Sequence, residues 1–271
     1  MHEILRHLHA GEIVLDLGSQ SGSFAAASLE ATTVRVDLDP PAPAGGARTV
    51  RADAARLPFR DHCFAAVIAN HSLEHFAQLD DALREAGRVL AGGGAFFAAI
   101  PDASSLSDRI YRWLGRGGGH VNAFRSPADI IDRVAAKTGL SYAGGRVLCT
   151  SLSFLNSRNH TGPAQRKLLL LGGGREGVVR WLNRLFRVCD RWLGTRMSVY
   201  GWALYFGPVP ERVSSRTWVN VCVRCGAGCD SDALLTAGLA RRRSPFAWFY
   251  DCPKCGASNF FHPDEGFQGM R

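Results

Sequence analysis

The sequence predicts an α/β fold, a doubly wound and mostly parallel sheet of seven strands with helices on both faces. Short apolar runs alternate with amphipathic stretches through the first 150 residues, which is the spacing of parallel strands joined by helices. Two of the runs are apolar throughout, as expected for strands covered on both faces. The 271 residues, 46% hydrophobic and 21% charged, are enough to bury such a core. Right-handed crossovers then place ligand sites at the carboxyl ends of the strands.

The first four strands are predicted from short apolar or β-branched runs. Glu12–Leu17 is an apolar run that leads into a turn of small residues, and Ser23–Glu30 is predicted as the following helix,. Thr33–Asp37, with the sequence TVRVD, carries the β-branched residues typical of a strand,. Thr49–Ala52 predicts a third strand, and the apolar run FAAVIA at Phe64–Ala69 predicts a fourth.

The alternation continues beyond the fourth strand. Asp80–Leu90 is an amphipathic helix that ends before three glycines, and Ala95–Ile100 (AFFAAI) is a second fully buried strand,. Pro127–Lys137 predicts a further helix, and Gly145–Thr150 a further strand. A returning strand at Arg216–Val223 (RTWVNVCV) then completes the sheet.

An arginine-rich helix is predicted at Arg175–Leu193, within a stretch that interrupts the alternation. Its apolar residues recur every three or four positions, and its arginines repeat that spacing two residues out of phase. Because two residues span about 200° on a helix, the two sets are expected on opposite faces. The apolar set is Val178, Leu182, Leu185, Cys189 and Trp192, and the basic set is Arg180, Arg184, Arg187 and Arg191.

The net charge of +8 comes from the C-terminal part of the chain. Residues 1–150 carry 15 Lys and Arg against 16 Asp and Glu, whereas residues 151–271 carry 17 against 8. This excess indicates either an anionic partner, such as a phosphorylated substrate, nucleic acid or a lipid surface, or simply a solvated basic face. The helix at 175–193 accordingly has two predicted roles, a lid packed on the sheet domain or a peripheral contact with anionic lipid head groups.

Several protein classes are excluded. No apolar run approaches the roughly 20 residues of a membrane-spanning helix, and no basic-then-apolar signal segment opens the chain. Eight cysteines in 271 residues are too few for a disulfide scaffold. We therefore expect a cytoplasmic protein.

Two C-x-x-C-G motifs predict a metal site near the C-terminus. They contain Cys222 and Cys225, and then Cys252 and Cys255, with 26 residues between the motifs. Each motif aims two thiolates at one point, and four thiolates suit a closed tetrahedral zinc site. The intervening segment is predicted to contain a hairpin, and a redox-active pair is the alternative. A closed zinc site is structural and takes no part in chemistry.

A strand, a glycine-containing turn and an acidic strand end together predict a nucleotide-type cofactor site. The strand that contains Val14 leads into a turn that extends to Gly22, and the glycines of this turn let a ligand approach the backbone,. Asp37 ends the second strand about 20 residues later, where a carboxylate can accept hydrogen bonds from ribose hydroxyls. Dinucleotide-binding folds share both features, so these residues alone leave the cofactor open.

Three further segments decide between cofactors: Asp53–Phe59 (DAARLPF), Asn70–His75 (NHSLEH) and Arg88–Gly94 (RVLAGGG). In this order they resemble the class I S-adenosylmethionine-dependent methyltransferases, and specifically the type-11 methyltransferase family. The resemblance covers roughly residues 12–150. The chain departs from the family pattern at Gln20, which stands where the family usually has a glycine.

The resemblance implies S-adenosylmethionine as the cofactor and assigns its contacts. The methionine end would lie at the turn, the ribose at Asp37, the adenine at Asp53 and Ala54, and the amino-acid portion at Asn70. His75 would be a base near the acceptor or a hydrogen-bonding group beneath the site, and His120 would border the acceptor pocket. The turn residues implied as cofactor contacts are Asp16, Gly18, Ser19 and Gly22.

The expected function is direct in-line methyl transfer to a small molecule or glycan precursor. An RNA or protein acceptor held by the zinc ribbon and the basic helix is an alternative, although no N-P-P-Y-type motif follows the fourth strand. A non-catalytic binding protein that kept the fold is the third reading. The predicted domains are a methyltransferase domain at 1–221, with a basic helical insertion or lid at 151–211, and a zinc-ribbon-like module at 222–262.

Overall fold

The computed structural model describes two compact units. The first comprises Met1–Asp102, Gly119–Arg146 and Trp202–Ser215, and the second comprises Ala103–Gly118, Val147–Gly201 and Arg216–Arg271. Within these ranges the described residues are all except 1–2, 20–21, 25, 41–45, 115–118, 160–171, 210–218, 245–246 and 264–271. The expected effect of Gln20 on the turn therefore lies outside the described residues.

Seven strands form the principal sheet, in the order β3-β2-β1-β4-β5-β7-β6. The pairs β1–β2, β2–β3, β1–β4 and β4–β5 are parallel, which confirms the predicted doubly wound, mostly parallel fold. The strand order reverses between β1 and β4, where open α/β sheets bind their ligands. The strands are β1 Ile13–Leu17, β2 Thr32–Asp37, β3 Arg48–Arg51, β4 Phe64–Asn70, β5 Leu90–Pro101, β6 Tyr142–Cys149 and β7 Val199–Phe206.

The centre of the sheet is dry because its strands carry apolar side chains on both faces. Ala66, Val67 and Ile68 of β4 are completely buried, as is Phe96 of β5. The polar residue of β4 lies at its end, where Asn70 closes the strand and is half-buried. The burial pattern explains why these strands are continuous apolar runs in the sequence.

Two helices of the first unit pack closely against each other. They are α1, Leu79–Val89, and α3, Pro127–Thr138; α2 of the second unit, Leu106–Trp113, precedes α3 in the chain. The Ser126 hydroxyl accepts the Ala128 N–H and caps the start of α3,. A Cβ at Gly87 of α1 would lie 2.8 Å from the Thr138 Cα, so the two backbones meet at a point that only glycine allows.

The second unit contains a long helix and two small sheets. The helix is α4, Glu176–Leu193, and a short helix α5 follows at Ser231–Thr236. The strands β8, Asn220–Val221, and β9, Gly228–Cys229, pair antiparallel. A three-stranded antiparallel sheet contains β10, Ala240–Ser244, β11, Ala247–Asp251, and β12, Ser258–Phe260. The pairing of β10 with β11 confirms the hairpin predicted between the cysteine pairs.

Two of the predicted elements are wrong. The returning strand of the principal sheet is β7 at Val199–Phe206, not Arg216–Val223, of which the described part contributes only the short β8. The run VYGWALYF of β7 is almost entirely buried, so its apolar character was the available signal. Ser23–Glu30 contains only a 3-10 turn at Ala26–Ser28 among its described residues, because this stretch has few large apolar side chains with which to bury a helical face.

The faces predicted for α4 are also wrong. Its buried residues include Arg187, whereas Leu185 and Trp192 are exposed. Long-range hydrogen bonds select this face: the Asn183 amide and the Arg187 guanidinium both donate to the Thr150 carbonyl, at 3.2 and 3.1 Å. Such polar partners cannot be deduced from apolar periodicity. None of the described helices has the length and hydropathy that a bilayer-crossing segment needs.

Arg88 of α1 ties that helix to the loop that follows Asp53. Its guanidinium donates to the carbonyls of Phe59 and Leu57, at 2.9 and 3.1 Å. It also pairs with Glu85 at 2.7 Å, and Glu85 in turn accepts the Leu57 N–H at 2.8 Å. Arg88 thus bonds the Phe59 and Leu57 carbonyls directly, and it holds the Leu57 N–H through Glu85. The Arg88 side chain is 31% exposed.

Replacing Arg88 with Ala is expected to lower the free energy of unfolding by about 2–3 kcal/mol, because charge-assisted bonds are lost and carbonyl groups are left without partners. Arg84→Ala is the matched control: it lies on the same helix, but its pair with Asp81 is half-exposed and is worth under about 1 kcal/mol. Urea denaturation of both variants measures the difference. Equal losses would contradict the role given to Arg88.

Candidate functional site

A cavity of about 350 Å³ lies at the carboxyl ends of the central strands of the first unit. It is large enough for a drug-sized ligand, and it occupies the position where the strand order reverses,. Its polar and glycine lining comes from the ends of β1 and β2, the loop after β3 and the turn after β4. These residues are Gly18, Asp37, Asp53, Ser72, His75 and Gln78.

Gly18 lines the cavity at a position that leaves no room for a side chain. Its φ is +66°, and a Cβ there would lie 2.7 Å from the Ser72 Cβ and 3.0 Å from the Phe76 ring. The Gly18 N–H donates to the Val36 carbonyl at 2.7 Å, which fixes the turn to β2. Only glycine satisfies both the left-handed backbone and the close approach.

Beneath the turn, Asp16 is completely buried. Its Oδ2 accepts the Ser23 N–H at 2.9 Å and lies 3.8 Å from the Arg35 Nε. Burial raises the pKa of the Asp16 carboxyl, while the Ser23 hydrogen bonds and the Arg35 charge oppose that rise. A Cβ at Gly22, where φ is +111°, would lie 2.3 Å from the Arg35 Nη2, so this glycine makes room for the guanidinium.

Two carboxylates are held at the cavity by the backbone around them. The Asp37 Oδ1 accepts the Asp39 N–H at 3.1 Å, and the Asp53 Oδ1 accepts the Ala55 N–H at 2.9 Å. The Asp37 carbonyl also accepts the Ala52 N–H at 3.1 Å, which joins the two segments. Both acidic side chains therefore face one ligand space from adjacent strands.

A histidine lies at the same cavity with its tautomer defined. The His75 Nδ1 is 3.0 Å from the Gly119 carbonyl oxygen. A carbonyl can only accept, so Nδ1 carries the proton, and the Nε2 of the neutral ring is left as an acceptor. The His120 ring packs edge-on against His75, with centroids 4.8 Å apart.

Further titratable groups surround this histidine pair. Glu74 is 2% exposed, and its possible ligand atom lies within 4.8 Å of those of His75 and His120, a spacing that can hold a metal ion. Burial, and then the charges of His120 and His75, lower the pKa of His71 to about 4. His71 is therefore neutral near pH 7.

In the second unit, the four predicted metal ligands come together. The Sγ atoms of Cys222 and Cys255 are 3.6 Å apart, those of Cys225 and Cys252 are 3.7 Å apart, and all four lie within 4.8 Å of one another. Zinc–sulfur bonds of about 2.3 Å in a tetrahedron give sulfur separations of about 3.8 Å. The cysteine cluster has the donor set and the dimensions of a tetrahedral site, and its cysteines are free thiols.

The two C-x-x-C turns have the same backbone hydrogen bonds. Gly226 N–H donates to the Cys222 carbonyl at 2.9 Å, and Gly256 N–H donates to the Cys252 carbonyl at 2.8 Å. Both glycines have φ near +70°, at 75° and 69°, which glycine adopts without strain. The repeated C-x-x-C-G pattern therefore encodes a repeated turn.

Comparison with known proteins agrees with the geometry of the first unit. Residues 15–98 match the model of a family described as a methyltransferase domain. The matched stretch extends from β1 into β5 of the principal sheet, so this part of the chain is similar to methyltransferase domains. A search of curated proteins finds no match.

Solved structures of methyltransferases resemble this chain at low identity. A putative methyltransferase from an antibiotic biosynthesis pathway of Anabaena variabilis has a TM-score of 0.51 and 15% identity, over 75% of this chain and 93% of its own. That likeness concerns the fold alone. Two others are a Haloferax volcanii complex of the Trm112 activator with a putative methyltransferase (TM-score 0.48, 18% identity, 78% and 88% coverage) and a putative Bacillus halodurans methyltransferase (0.49, 19%, 74% and 93%).

The first unit brings some of the predicted cofactor and catalytic residues to the cavity and leaves others aside. Those at the cavity are Gly18, Asp37, Asp53, Ala54 and His75. Asp16 and Gly22 instead hold the turn through Ser23 and Arg35, and the Ser19 carbonyl accepts the Gly22 N–H at 2.7 Å. Asn70 ends β4 and His120 packs on His75, and neither is among the described lining residues.

Sequence reasoning missed several lining residues, among them Leu38, Ser72 and Phe76. Each lies just beyond the carboxyl end of a strand or in the turn after it, which was the signal that could have identified it. Ser72 is the most informative, because its hydroxyl is buried and has no hydrogen-bond partner in the described part of the chain. A polar ligand in the cavity would supply that partner.

Proposed function

We propose that the chain binds S-adenosylmethionine in the cavity of the first unit and transfers its methyl group in line to a small-molecule or glycan-precursor acceptor. One observation carries the proposal: Gly18, Asp37 and Asp53 line a single cavity at the reversal point of the sheet, together with His75. The family match over residues 15–98 supports the choice of cofactor.

The cavity residues fit such a cofactor in polarity and shape. Asp37 accepts hydrogen bonds from both ribose hydroxyls, and Asp53 with Ala54 contacts the adenine. Gly18 allows the ligand to approach the backbone, and the unpartnered Ser72 hydroxyl gains a partner. When bound, the cofactor supplies a methyl group already activated on a sulfonium, so the protein chiefly has to hold the acceptor in line.

His75 is the proposed general base for a hydroxyl acceptor. Its Nδ1–H is held by the Gly119 carbonyl, so its Nε2 would be free to accept the proton of a hydroxyl acceptor placed in the cavity. His120 packs against this ring and acts as a positioning residue. A base is needed because a neutral hydroxyl is a weak nucleophile, whereas an amine acceptor needs none.

We also propose that the cysteine cluster binds one structural zinc ion. The sulfur separations of 3.6 and 3.7 Å support a tetrahedral site,. Four thiolates fill the coordination sphere, so the metal stabilises the second unit and leaves no position for a substrate. Persistent thiolate ligands require reducing surroundings, which supports a cytoplasmic location.

Peripheral contact of α4 with an anionic membrane stays a prediction, as does the lid. Exposure favours the former: Trp192 and Leu193 are 77% and 72% exposed, so the apolar residues at the end of the helix are not packed as a lid would require. Exposed tryptophan beside arginine is typical of helices at membrane interfaces.

The cofactor assignment predicts that Asp37→Ala weakens binding of S-adenosylmethionine by about 1.5–3 kcal/mol or more, since hydrogen bonds to a charged group are lost. Asp39→Ala is the matched control, because its side chain is 92% exposed and is not among the lining residues. Isothermal titration calorimetry compares both variants with the wild type. Unchanged affinity in Asp37→Ala would refute the ribose contact.

The proposed base predicts that His75→Gln lowers the rate of methyl transfer by about 10²- to 10⁴-fold while cofactor binding persists. The acceptor is first identified by transfer of labelled methyl groups into fractionated metabolites, with RNA and protein fractions assayed in parallel. His9→Gln, at an exposed position, should keep the wild-type rate. A full rate in His75→Gln would exclude a base at this position.

For the cysteine cluster, we expect about one zinc per chain by elemental analysis. The double variant Cys252→Ser, Cys255→Ser should lose the metal and unfold locally, because metal binding is coupled to folding, yet still bind S-adenosylmethionine. Cys229→Ser is the control, since Cys229 lies outside the cluster and should retain zinc. Metal-free wild-type protein, purified without chelator, would disprove the site.

A further inference from the structure

A second cavity, of about 290 Å³, lies in the second unit beside α4. Three arginines of that helix line it, Arg184, Arg187 and Arg191, and His262 joins them from the segment after β12. No carboxylate is among its described lining residues. The lining therefore concentrates positive charge, and methyl transfer as proposed above does not use this cavity.

Arg187 is the feature that distinguishes this cavity from a basic surface. The residue is 6% exposed, and its Nη2 donates to the Thr150 carbonyl at 3.1 Å. Its Nε and Nη1 are buried and have no hydrogen-bond partner in the described part of the chain. A buried guanidinium with unused donors is costly unless an anion accepts from it.

The two acidic side chains of α4 accept hydrogen bonds from groups other than Arg187. Asp190 accepts from Thr195 at 2.7 Å and from the N–H of Ser198 at 2.8 Å. Glu176 forms two bonds with Arg224, at 2.8 and 3.0 Å. Both carboxylates thus have hydrogen-bond partners of their own, and the Cys149 thiol and the Tyr250 hydroxyl, which lie near Arg187, are uncharged in their ordinary forms.

His262 adds a further unused polar atom. Its backbone is fixed by Asn220, which accepts the His262 N–H and donates to its carbonyl, both at 2.8 Å. Its Nε2 is buried and has no partner within the described residues. Burial, and then the charges of Arg187 and Arg184, lower its pKa to about 3, so the ring is neutral and can donate one hydrogen bond to an anion.

The rim of the cavity is apolar and exposed. Trp192 and Trp248 line the cavity and are 77% and 42% exposed, and Val188 between the arginines is 40% exposed. An arginine-lined cavity within an apolar rim suits a ligand with an anionic head and an apolar body. A nucleic acid would more usually meet an extended basic track than a single confined cavity.

We propose that this cavity binds the phosphate group of an anionic amphiphile, with Arg187 as its buried anchor and Arg184, Arg191 and His262 completing its contacts. Phosphate offers several oxygens in a tetrahedral arrangement, so it can accept from more than one guanidinium, and arginine recognises it in bidentate fashion. The exposed tryptophans and Val188 contact the apolar part of the ligand. Free phosphate shares the headgroup chemistry and is the other source to be tested.

The experiment has two arms on the full chain. In the first, sedimentation measures binding to phosphatidylcholine vesicles with and without phosphatidic acid. In the second, inorganic phosphate is titrated and followed by the tryptophan fluorescence of the chain, to which Trp192 and Trp248 contribute, with chloride at equal ionic strength as the reference. We expect saturable binding to the phosphatidic acid vesicles, and a fluorescence change that phosphate produces and chloride does not.

The variants decide whether the cavity is responsible. Arg187→Gln should weaken both signals by about tenfold or more, which is the loss of one charge-assisted contact. Arg180→Gln is the matched control, because Arg180 lies on the same helix, pairs with Glu176 and is not among the lining residues. Arg191→Gln, at an exposed position, tests the same cavity by the same two measurements if Arg187→Gln impairs folding.

Each outcome decides the proposal. Phosphate binding without vesicle binding assigns the cavity to a soluble phosphate and rejects the amphiphile. Equal binding by the wild type, Arg187→Gln and Arg191→Gln, or no binding at all, overturns the site. Asp264 and Glu265 follow the lining residue Pro263 in the sequence but lie outside the described residues. If phosphate and vesicles bind only Asp264→Asn, Glu265→Gln, the chain's own carboxylates fill the cavity and the proposal is wrong.

Discussion

The buried carboxyl group of Asp16 is the constraint on which the candidate site depends. A carboxyl group buried away from solvent needs polar or charged partners, and here they are the Ser23 N–H and the Arg35 guanidinium. These contacts hold the turn against the end of β1. Gly22 must then be a glycine because Arg35 occupies the space of a side chain, and Gly18 must be one because Ser72 and Phe76 do. The partners that the buried Asp16 carboxyl group requires therefore help to determine which residues form the cavity wall.

The strands and helices of the first unit could largely be predicted because their signals are local. β4 and β5 are continuous apolar runs, and α3 has Ser126 before Pro127 at its start and Gly139 at its end. The buried face of α4 could not be predicted, because it is chosen by partners far along the chain. Asn183 and Arg187 reach the Thr150 carbonyl, and hydrophobic periodicity contains no information about that acceptor.

The candidate site divides in the same way. Asp37 could be predicted as a cavity residue from its place at the carboxyl end of a strand, and Asp53 from the resemblance of its segment to a family motif. The contact of Phe76 with Gly18 and the bond from His75 to the Gly119 carbonyl could not. The first depends on the backbone angles of a single glycine, and the second joins residues 44 positions apart. The cysteine cluster is the exception among long-range contacts, because its repeated motif states both the ligands and the turns.

The first cysteine turn also carries Arg224, which couples sulfur chemistry to the start of α4. Arg224 lies between Cys222 and Cys225, donates its N–H to the Cys222 Sγ at 3.4 Å, and holds Glu176 through two charged bonds. Oxidation that joined Cys222 to Cys255 would draw their sulfurs from 3.6 Å to about 2 Å. The turn would have to follow, and the Arg224 fork would lose its alignment with the helix. Oxidation of these thiols would thus weaken the ion pair between Arg224 and Glu176. The placement of α4 would in this way depend on the redox state of the cysteines.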